Sequence, residues 1–470
     1  MRASALGALF PLLTCVSCSP AGASMASGSP IHASASKGAA PSPTVAAATQ
    51  PLQPEDSPKE QALQQRLSNA LAYVSSIRNL AAKSAVKGRL ISKDEIERYL
   101  NDEIDEGAPS DMLKATEALL YGFGTVDPGF DYRKSVLELM TSQLLGFYDP
   151  KQKTFFVEGS LSGEEADVTL FHELVHALQD QHYDLSHLSD FEPDAGDRQG
   201  AVHALAEGDA TSVMLDAMLK PRGSTALDVP NELFQAQTVL GSAAAGAPPV
   251  LVRSLLAPYV DGLEFTNQLR RQGGFAAVDE AWRAPPVSTE QLLHLDKFKA
   301  REAPLVVPLP SSPKHLPDME LRFHDVMGEQ TLRIFLEEWL PARTAAIAAA
   351  DWGGDRLSAF SDEARERWAI GWHLRFDSGA AAERAFVAFA RSAPATERLV
   401  ARAPADGPEV AKRYRDKMCR NRHSLGPLAL VRRGADLAVT VGPFVTKGAP
   451  VTSDPDCAGA LVWATALVNN

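Results

Sequence analysis

The sequence is poor in cysteine, in aromatic residues and in clustered positive charge. Its 470 residues include four Cys and 7% aromatic residues, and 46 Lys and Arg stand against 59 Asp and Glu, for a net charge of -13. Because no block of Lys or Arg occurs, the basic surface that binds nucleic acid or anionic lipid is missing. The length excludes a single small module and allows about three domains.

Long apolar runs are also missing after residue 18, where no stretch approaches the ~18 apolar residues of a membrane-spanning helix. The start has one positive charge at Arg2, an apolar stretch over residues 5–13 and then small residues, which is typical of a secretory signal over residues 1–18. Cys18 follows Val and Ser as in a bacterial lipobox and is the expected lipidation site. The alternative is ordinary cleavage after the Ala-Gly-Ala sequence at 21–23.

A spacer follows the signal. From residue 19 to residue 58, 28 of 40 residues are Ala, Ser, Pro or Gly, a composition that buries too little apolar surface to offset the entropy of ordering. We expect an exported protein whose folded body stands off the cell envelope on this tether, with a freely secreted protein as the alternative.

The body is predicted to be an α+β protein, with a mostly helical catalytic domain, a short β-hairpin before its central helix, and a C-terminal α+β module. We divide it into an N-terminal helical segment (59–125), a catalytic domain (126–301), a linker with five prolines (302–317) and the C-terminal module (318–470). The helical segment is interpreted as a packed subdomain, with a masking pro-segment as the alternative.

Local patterns predict the elements within this division. Apolar and β-branched residues on both sides of residues 149–151 predict two short strands, and Ser92 is the expected N-cap of a helix. In the C-terminal module we predict a helix at 325–340, a turn at 352–356, a strand at 368–376, a helix at 379–391 and a hairpin at 428–442. Cys419 and Cys457 flank this hairpin, and in an exported chain we expect them to form a disulfide that contributes about 3 to 4 kcal/mol.

The segment TLFHELVHALQDQH carries the most informative residues. His172 and His176 are four positions apart, which on a helix places both imidazoles on one face, about 5 to 6 Å apart at Cβ, so that both can bind one metal ion. Glu173 follows the first histidine, and its carboxylate can reach a water at the metal. We therefore predict a metal site rather than an amphipathic helix with two incidental histidines.

A catalytic zinc needs three protein ligands and an open position. Glu207, which begins a Glu-Gly-Asp-Ala sequence 31 residues after His176, can supply a carboxylate from a second helix packed against the first. His182 is the rival, because HELVHALQDQH has the spacing H-E-x-x-H-x-x-G-x-x-H with Gln179 in place of Gly. Gly turns the chain at that point, and Gln lacks this freedom at φ > 0, which favours Glu207.

These two motifs, HELVH and the EGDA sequence, resemble those of the gluzincin zinc metallopeptidases, the thermolysin-like clan, and particularly their compact bacterial members. The resemblance covers about residues 130–300. It implies one zinc ion on His172, His176 and Glu207, with Glu173 as the general base. It also implies that the strand around residues 155–157 is the edge that pairs with an extended substrate.

One position departs from this family. Thermolysin-like enzymes carry an Asp four residues after the ligand Glu, oriented to hold a ligand His, whereas this chain has Thr211 there. Asp209 lies two residues after Glu207 and is expected to face elsewhere. Asp180, one turn after His176, is therefore the candidate substitute.

Three further residues are candidates near the metal. Tyr259 and His294 are candidate donors to the oxyanion of the transition state, each with a structural role as the alternative. His203, one turn before Glu207, is a candidate to form a hydrogen bond near the metal, with a satisfied helix histidine as the alternative.

The function predicted from the sequence is that of a zinc metallopeptidase. Zinc lowers the pKa of bound water toward ~7 and polarises the scissile carbonyl, and Glu173 transfers the proton to the leaving amine. The alternatives are a surface lipoprotein whose C-terminal module binds a partner while its zinc site is structural or inactive, and an enzyme that hydrolyses a non-peptide amide. The expected partners are a peptide or protein substrate, no nucleic acid, and a membrane only through the lipid anchor.

Overall fold

The computed structural model describes residues 58–159, 163–188, 192–235, 246–392, 416–422, 425–446 and 457–469. Its architecture is α+β, as the sequence predicts, with helices and two separate sheets of three and six strands. The signal, Cys18 and the spacer before Pro58 lie outside the described residues. Within the described part, no helix combines the length and the apolar character that crossing a membrane requires.

The first sheet comes before the helix that carries the two site histidines. It consists of β1 (Lys87–Ile91), β2 (Gly146–Asp149) and β3 (Thr154–Glu158) in the order β1-β3-β2, with β1 parallel and β2 antiparallel to β3. The two strands predicted around residues 149–151 are therefore present. The edge role expected for residues 155–157 is wrong, because β3 is paired on both sides and β2 is an edge instead.

The N-terminal part contributes four helices: α1 (Pro58–Arg78), α2 (Lys93–Gly107), α3 (Ser110–Phe123) and α4 (Tyr132–Gln143). Helix α2 begins at the predicted N-cap, since Ser92 Oγ accepts a hydrogen bond from Glu95 N at 3.3 Å and the Glu95 carboxylate accepts one from Ser92 N at 2.8 Å. This reciprocal pair is a capping box. Strand β1 lies within the segment that the sequence predicts to be helical.

Three long helices, α5 (Gly163–Tyr183), α6 (Gly196–Leu219) and α7 (Pro249–Arg283), carry the candidate site. Helices α6 and α7 cross with their backbones in contact, because a Cβ at Gly208 would lie 2.0 Å from Gly262 O. Only glycine allows two helices to approach so closely. Helix α7 bends at Gly274, whose φ is 63°, and the short helices α8 (Thr289–Leu293) and α9 (Leu295–Ala300) follow it.

The second sheet is antiparallel, with the strand order β4-β5-β6-β9-β8-β7. Its strands are β4 (Glu320–Asp325), β5 (Trp352–Asp362), β6 (Arg367–Phe376), β7 (Lys417–Arg422), β8 (Gly426–Arg433) and β9 (Asp436–Val445), and its helices are α10 (Gly328–Leu336), α11 (Ala342–Ala349), α12 (Gly379–Ser392) and α13 (Cys457–Leu467). The predicted strand at 368–376, helix at 379–391 and hairpin at 428–442 are present. A disulfide joins Cys419 on β7 to Cys457 on α13, as predicted.

Two local predictions for this module are wrong. Residues 352–356 are the start of β5 rather than a turn, and a Cβ at Gly354 would lie 2.1 Å from Leu305 O, so glycine lets the preceding linker lie against the strand. The helix expected at 325–340 begins only at Gly328, because Asp325 ends β4.

The apolar cores join segments that the sequence analysis assigns to different domains. One cluster connects α2, α3 and α4 to the second sheet, where the Phe123 ring lies 5.6 Å from Phe335 and 6.1 Å from Trp372 between centroids. A second cluster connects α1 to β3, α5 and α6. The N-terminal helices are thus packed into both cores, and the domain boundaries stay a prediction.

Candidate metal centre

His172 and His176 lie on α5, and their exposed fractions are 0% and 3%. Their four-residue separation places the two rings on one face of the helix, with 4.7 Å between centroids and 3.0 Å between the two Nε2 atoms. The same helix buries leucines at four-residue spacing in the second core cluster: Leu170, Leu174 and Leu178. The apolar positions of α5 therefore anchor a helix that presents two imidazole nitrogens side by side.

Glu207 on α6 completes a triangle of ligand atoms. Its Oε2 lies 3.0 Å from His172 Nε2 and 3.5 Å from His176 Nε2, and its side chain is 1% exposed. A tetrahedral zinc ion with bonds of about 2.0 to 2.1 Å holds its ligand atoms about 3.3 to 3.4 Å apart. The three atom separations in the triangle are close to this value, so the residues present fit the ion that the sequence predicts.

The structure does not bring His182 to these three residues. Helix α5 continues regularly to Tyr183, and six residues after His176 the side chain points to a different face. There the His182 ring lies 2.7 Å from Ala81 O. Of the two candidates for the third ligand, Glu207 is the one that the fold places beside the two histidines.

Glu173, the predicted general base, is fully buried beside the ligands. Its Oε2 accepts a hydrogen bond from Tyr148 N at 2.8 Å, and its Oε1 has no partner among the described residues. Burial raises the pKa of Glu173 well above its ordinary value of 4.5, although His176 opposes this shift. The carboxylate is thus oriented through one oxygen, and the other is available for proton exchange.

Tyr148 belongs to the edge of β2 that β3 does not cover. In an antiparallel pair, successive residues direct their N–H and C=O groups alternately toward and away from the partner strand. Leu145 O accepts from Glu158 N across the pair, so Gly146 and Tyr148 direct their groups away from β3. The strand edge that reaches Glu173 therefore belongs to β2, a feature that the sequence pattern did not reveal.

The Glu-Gly-Asp-Ala sequence has a separate role at each polar or glycine position. Glu207 supplies the ligand oxygen, and Gly208 allows the close crossing with α7. Asp209 is fully buried and accepts a hydrogen bond from Gln179 Nε2 at 3.2 Å. Asp209 therefore makes no direct contact with a ligand histidine but bonds to a residue that does.

Gln179 is the residue that holds His176, and sequence reasoning missed it. Its Oε1 lies 2.8 Å from His176 Nδ1. The role predicted for Asp180 is wrong, because the Asp180 carboxylate instead accepts from Tyr148 Oη at 2.8 Å and from Lys153 Nζ at 2.8 Å. From the sequence, Gln179 stands only where the rival motif has glycine, although its spacing of three from His176 allows the contact.

His203 lies beside the other oxygen of the ligand carboxylate. Its Nε2 is 3.1 Å from Glu207 Oε1, and its side chain is 12% exposed. The predicted position of His203 near the metal ligands is therefore present. The two oxygens of Glu207 have different partners, since Oε2 faces the ligand histidines and Oε1 faces His203.

The two candidate oxyanion donors lie in different settings. Tyr259 on α7 is 2% exposed, and its ring centroid lies 5.9 Å from that of His172. His294 pairs with Glu329 on α10, with 2.9 Å between His294 Nε2 and Glu329 Oε1. The structure thus brings Tyr259 beside a candidate ligand and gives His294 a carboxylate partner instead.

Within the triangle, Glu207 and His176 each stabilise the charged form of the other. Burial alone would raise the pKa of Glu207, but His176 and the hydrogen bonds from the neighbouring histidines lower it well below 4.5. Burial alone would lower the pKa of His176, but Glu207 raises it to about 9. Burial lowers the pKa of His172, which favours the neutral imidazole. The carboxylate is therefore held in its anionic, metal-binding form.

One other group among the described residues has carboxylates close enough to hold a cation: Glu290, Glu302 and Asp377. Lys297 Nζ already lies among them, at 2.6 Å, 2.8 Å and 2.5 Å from their oxygens. This second group is therefore a salt-bridge cluster around a lysine, and the triangle on α5 and α6 is the candidate metal centre.

Comparison with known proteins identifies one domain. A family model described as a domain of unknown function (DUF8575) matches residues 319–450, which include all six strands of the second sheet and none of the candidate metal ligands. No curated protein matches the chain. No solved structure matches it either.

Proposed function

We propose that the protein is a zinc-dependent metallopeptidase of the gluzincin type that hydrolyses peptide bonds. The observation that carries this proposal is the buried triangle of His172 Nε2, His176 Nε2 and Glu207 Oε2, with separations of 3.0 to 3.5 Å, beside the Glu173 carboxylate. Three protein ligands leave the fourth position of a tetrahedral ion for water or substrate. The residue spacing and the folded geometry support the same four residues.

A zinc ion held by His172, His176 and Glu207 would activate the attacking water and polarise the scissile carbonyl. Glu173 accepts the proton of the attacking water at Oε1 and then donates it to the leaving amine. Its Oε2 remains on Tyr148 N, which keeps the carboxylate in one orientation. Tyr259, whose ring lies against His172, is the candidate donor to the oxyanion.

The proposed substrate is an extended peptide or protein segment, as the resemblance to the gluzincins implies. Strand β2 is the sheet edge nearest to Glu173, but its four residues are buried and Tyr148 N already donates to the Glu173 carboxylate, so this edge does not itself identify the substrate-binding strand. The exported, lipid-anchored location stays a prediction, because the signal and Cys18 lie outside the described residues.

The depth of the site favours one alternative function. The two histidines, Glu173 and Glu207 are all between 0% and 3% exposed, and structural zinc sites are closed whereas catalytic sites keep a position open to substrate. A surface lipoprotein with a structural zinc ion and a partner-binding C-terminal module is therefore the second candidate. It predicts bound zinc without turnover.

These candidates are separated by zinc analysis and by assays on a library of peptides and small amides. We expect the wild type to bind one zinc ion and hydrolyse peptides, Glu173→Gln to keep zinc but lose at least about 100-fold in rate, and Glu207→Ala to lose zinc. Glu97→Gln, an exposed change on α2, is the matched control and should behave as the wild type.

Four results would contradict the peptidase. Full activity in Glu173→Gln would show that Glu173 is not the general base, and full zinc occupancy in Glu207→Ala would show that Glu207 is not a ligand. Stoichiometric zinc in a wild type that hydrolyses no peptide would instead support the structural site, and turnover of small amides alone would change the substrate class.

A further inference from the structure

A chain of buried hydrogen bonds runs from the candidate metal ligand His176 toward α1. Gln179 Oε1 lies 2.8 Å from His176 Nδ1, and Gln179 Nε2 lies 3.0 Å from Ala206 O and 3.2 Å from Asp209 Oδ2. A backbone carbonyl oxygen only accepts hydrogen bonds, so the amide nitrogen of Gln179 must face Ala206. The orientation of this amide is therefore set by chemistry.

The orientation of Gln179 decides the tautomer of His176. An amide oxygen only accepts, so His176 Nδ1 must carry the hydrogen that it donates to Gln179. In the neutral imidazole this leaves the lone pair on Nε2. That nitrogen is the one that faces His172 Nε2 and Glu207 Oε2, so the hydrogen bond presents the correct atom to the metal.

Gln179 is in turn fixed by a buried ion pair. Asp209 accepts from Arg78 Nε at 2.7 Å and from Trp282 Nε1 at 3.0 Å, and the side chains of Arg78 and Asp209 are both 0% exposed. Arg78 also bonds to Asp279 on α7 at 2.7 Å. Four helices, α1, α5, α6 and α7, thus meet behind His176 through these groups, of which Asp279 is partly exposed at 22%.

We propose that Gln179 is a positioning residue for His176 and that the Arg78–Asp209 pair holds Gln179 in place. The inference rests on the proposed metal centre and adds to it the residue that sets the ligand tautomer. A carboxylate or a backbone carbonyl commonly accepts from the second ring nitrogen of a metal-binding histidine. Here a side-chain amide from the next turn of the same helix takes this role.

The first test replaces Gln179 with Leu, which has a similar volume and no hydrogen-bonding group. We expect zinc affinity, measured by competition with a chelator on the folded apo-protein, to fall about 10- to 100-fold, as for other outer-shell partners of metal ligands. The absorption spectrum of the Co²⁺-loaded variant should also differ from that of the wild type, because the orientation of the His176 ring changes.

Gln291→Leu is the matched control. Gln291 is 1% exposed and bonds to Val287 N and Glu302 O, so its replacement also removes two hydrogen bonds of a buried amide, but away from the triangle. We expect it to lower stability and to leave zinc affinity unchanged. Equal zinc affinity in Gln179→Leu and the wild type would overturn the positioning role.

The second test is a double-mutant cycle between positions 179 and 209. Gln179→Leu removes the amide, and Asp209→Asn removes the charge that pairs with Arg78. If the Arg78–Asp209 pair acts on His176 through Gln179, Asp209→Asn should weaken zinc binding in the wild type and have little further effect in Gln179→Leu. Equal losses in the two backgrounds would contradict the relay.

The same measurements distinguish this inference from the proposed function. A wild type that binds no zinc overturns the metal centre itself. If the wild type binds zinc and Gln179→Leu binds it with the same affinity, the metal centre is intact and only the positioning role is overturned.

Discussion

Two of the buried carboxylates on helix α6 lie in opposite electrostatic settings. Glu207, in the middle of the helix, faces three histidines, and their attraction outweighs the effect of burial, so its pKa lies well below 4.5. Asp197, in the first turn, accepts hydrogen bonds from Thr289 N at 2.9 Å and Thr289 Oγ1 at 2.5 Å, and burial raises its pKa to about 7. One helix thus holds one acid charged and the other close to neutral.

The acids around Asp197 form a second buried cluster, with an electrostatic setting unlike that of Glu207. Four of them lie where α6 meets the C-terminal module: Asp197, Asp325, Glu329 and Asp355, all at most 3% exposed. Burial raises the pKa of Asp325 to about 7 and that of Asp355 to about 6. Backbone N–H groups hold both. Burial thus raises the pKa of Asp197, Asp325 and Asp355, whereas the histidines beside Glu207 lower the pKa of its carboxylate.

The largest effect that we predict tests the Asp197 side of this comparison. A folded-state pKa of about 7 against 3.8 means that the native state binds the proton more tightly, so wild-type stability should fall as pH rises from about 4 to about 7. Asp197→Asn keeps the oxygen that accepts from Thr289 and places its amide where Oδ2 has no partner among the described residues. We expect it to be more stable than the wild type at pH 8 by up to about 4 kcal/mol.

Urea unfolding of both proteins at pH 4.5 and pH 8 measures this difference. At pH 4.5 the difference should shrink to about 1 kcal/mol, because the native wild type then still holds the proton on Asp197. Asp355→Asn is the contrasting variant, because both of its oxygens accept bonds, from Met327 N and Gly328 N, and an amide cannot satisfy both donors. A gain for Asp197→Asn that is the same at both pH values would show that Asp197 does not titrate as described.

The next effect concerns the helix crossing beside Glu207. Gly208→Ala would place a Cβ 2.0 Å from Gly262 O, so α6 and α7 must separate, and we expect a loss of about 3 kcal/mol in the free energy of unfolding. Gly200→Ala on the same helix is the matched control, because its Cβ would meet only Thr289 Cγ2 at 3.7 Å. The control should be neutral or stabilising by up to about 1 kcal/mol. Equal stabilities of the two variants, measured by urea unfolding, would show that the crossing tolerates a side chain.

The smallest predicted effect concerns the contact between His203 and Glu207. His203→Ala removes the partner of Glu207 Oε1 and leaves the three ligands in place, so zinc affinity should fall about 10-fold, at the low end for an outer-shell partner. His203→Gln, which keeps a donor, should recover part of this loss. Chelator competition measures both variants. An unchanged affinity in His203→Ala would mean that the ligand histidines alone set the charge state of Glu207.

The residues of the candidate site were predictable from the sequence because their signal is local. His172, Glu173 and His176 follow from helical periodicity, and Glu207 follows from a short motif on a second helix. Gln179 and Tyr148 could not be identified in this way. Gln179 is recognised only from its contact with Asp209, and the Tyr148 N–H is a backbone group that no residue type marks. Contacts between distant elements leave no pattern in one sequence.

The α+β class followed from periodicity, but several strands did not. The Gly-Gly pair at 353–354 indicates a turn by composition, yet in the fold it allows the 302–317 linker to approach β5. Strands β1 and β4 carry charged residues and few buried side chains, so they lack the aromatic and β-branched runs that predict β2 and β3.

Arg78 has a practical consequence for anyone who shortens this protein. It lies in the last turn of α1, and its charge compensates Asp209 directly behind the metal triangle. A fragment that starts after α1 would leave Asp209 with no counter-charge in a dry interior, which costs about 3 to 5 kcal/mol for a broken buried pair. Helix α1 is therefore part of the folded body around the triangle rather than a detachable cover, and proteolytic trimming should stop before Pro58 if the triangle is to survive.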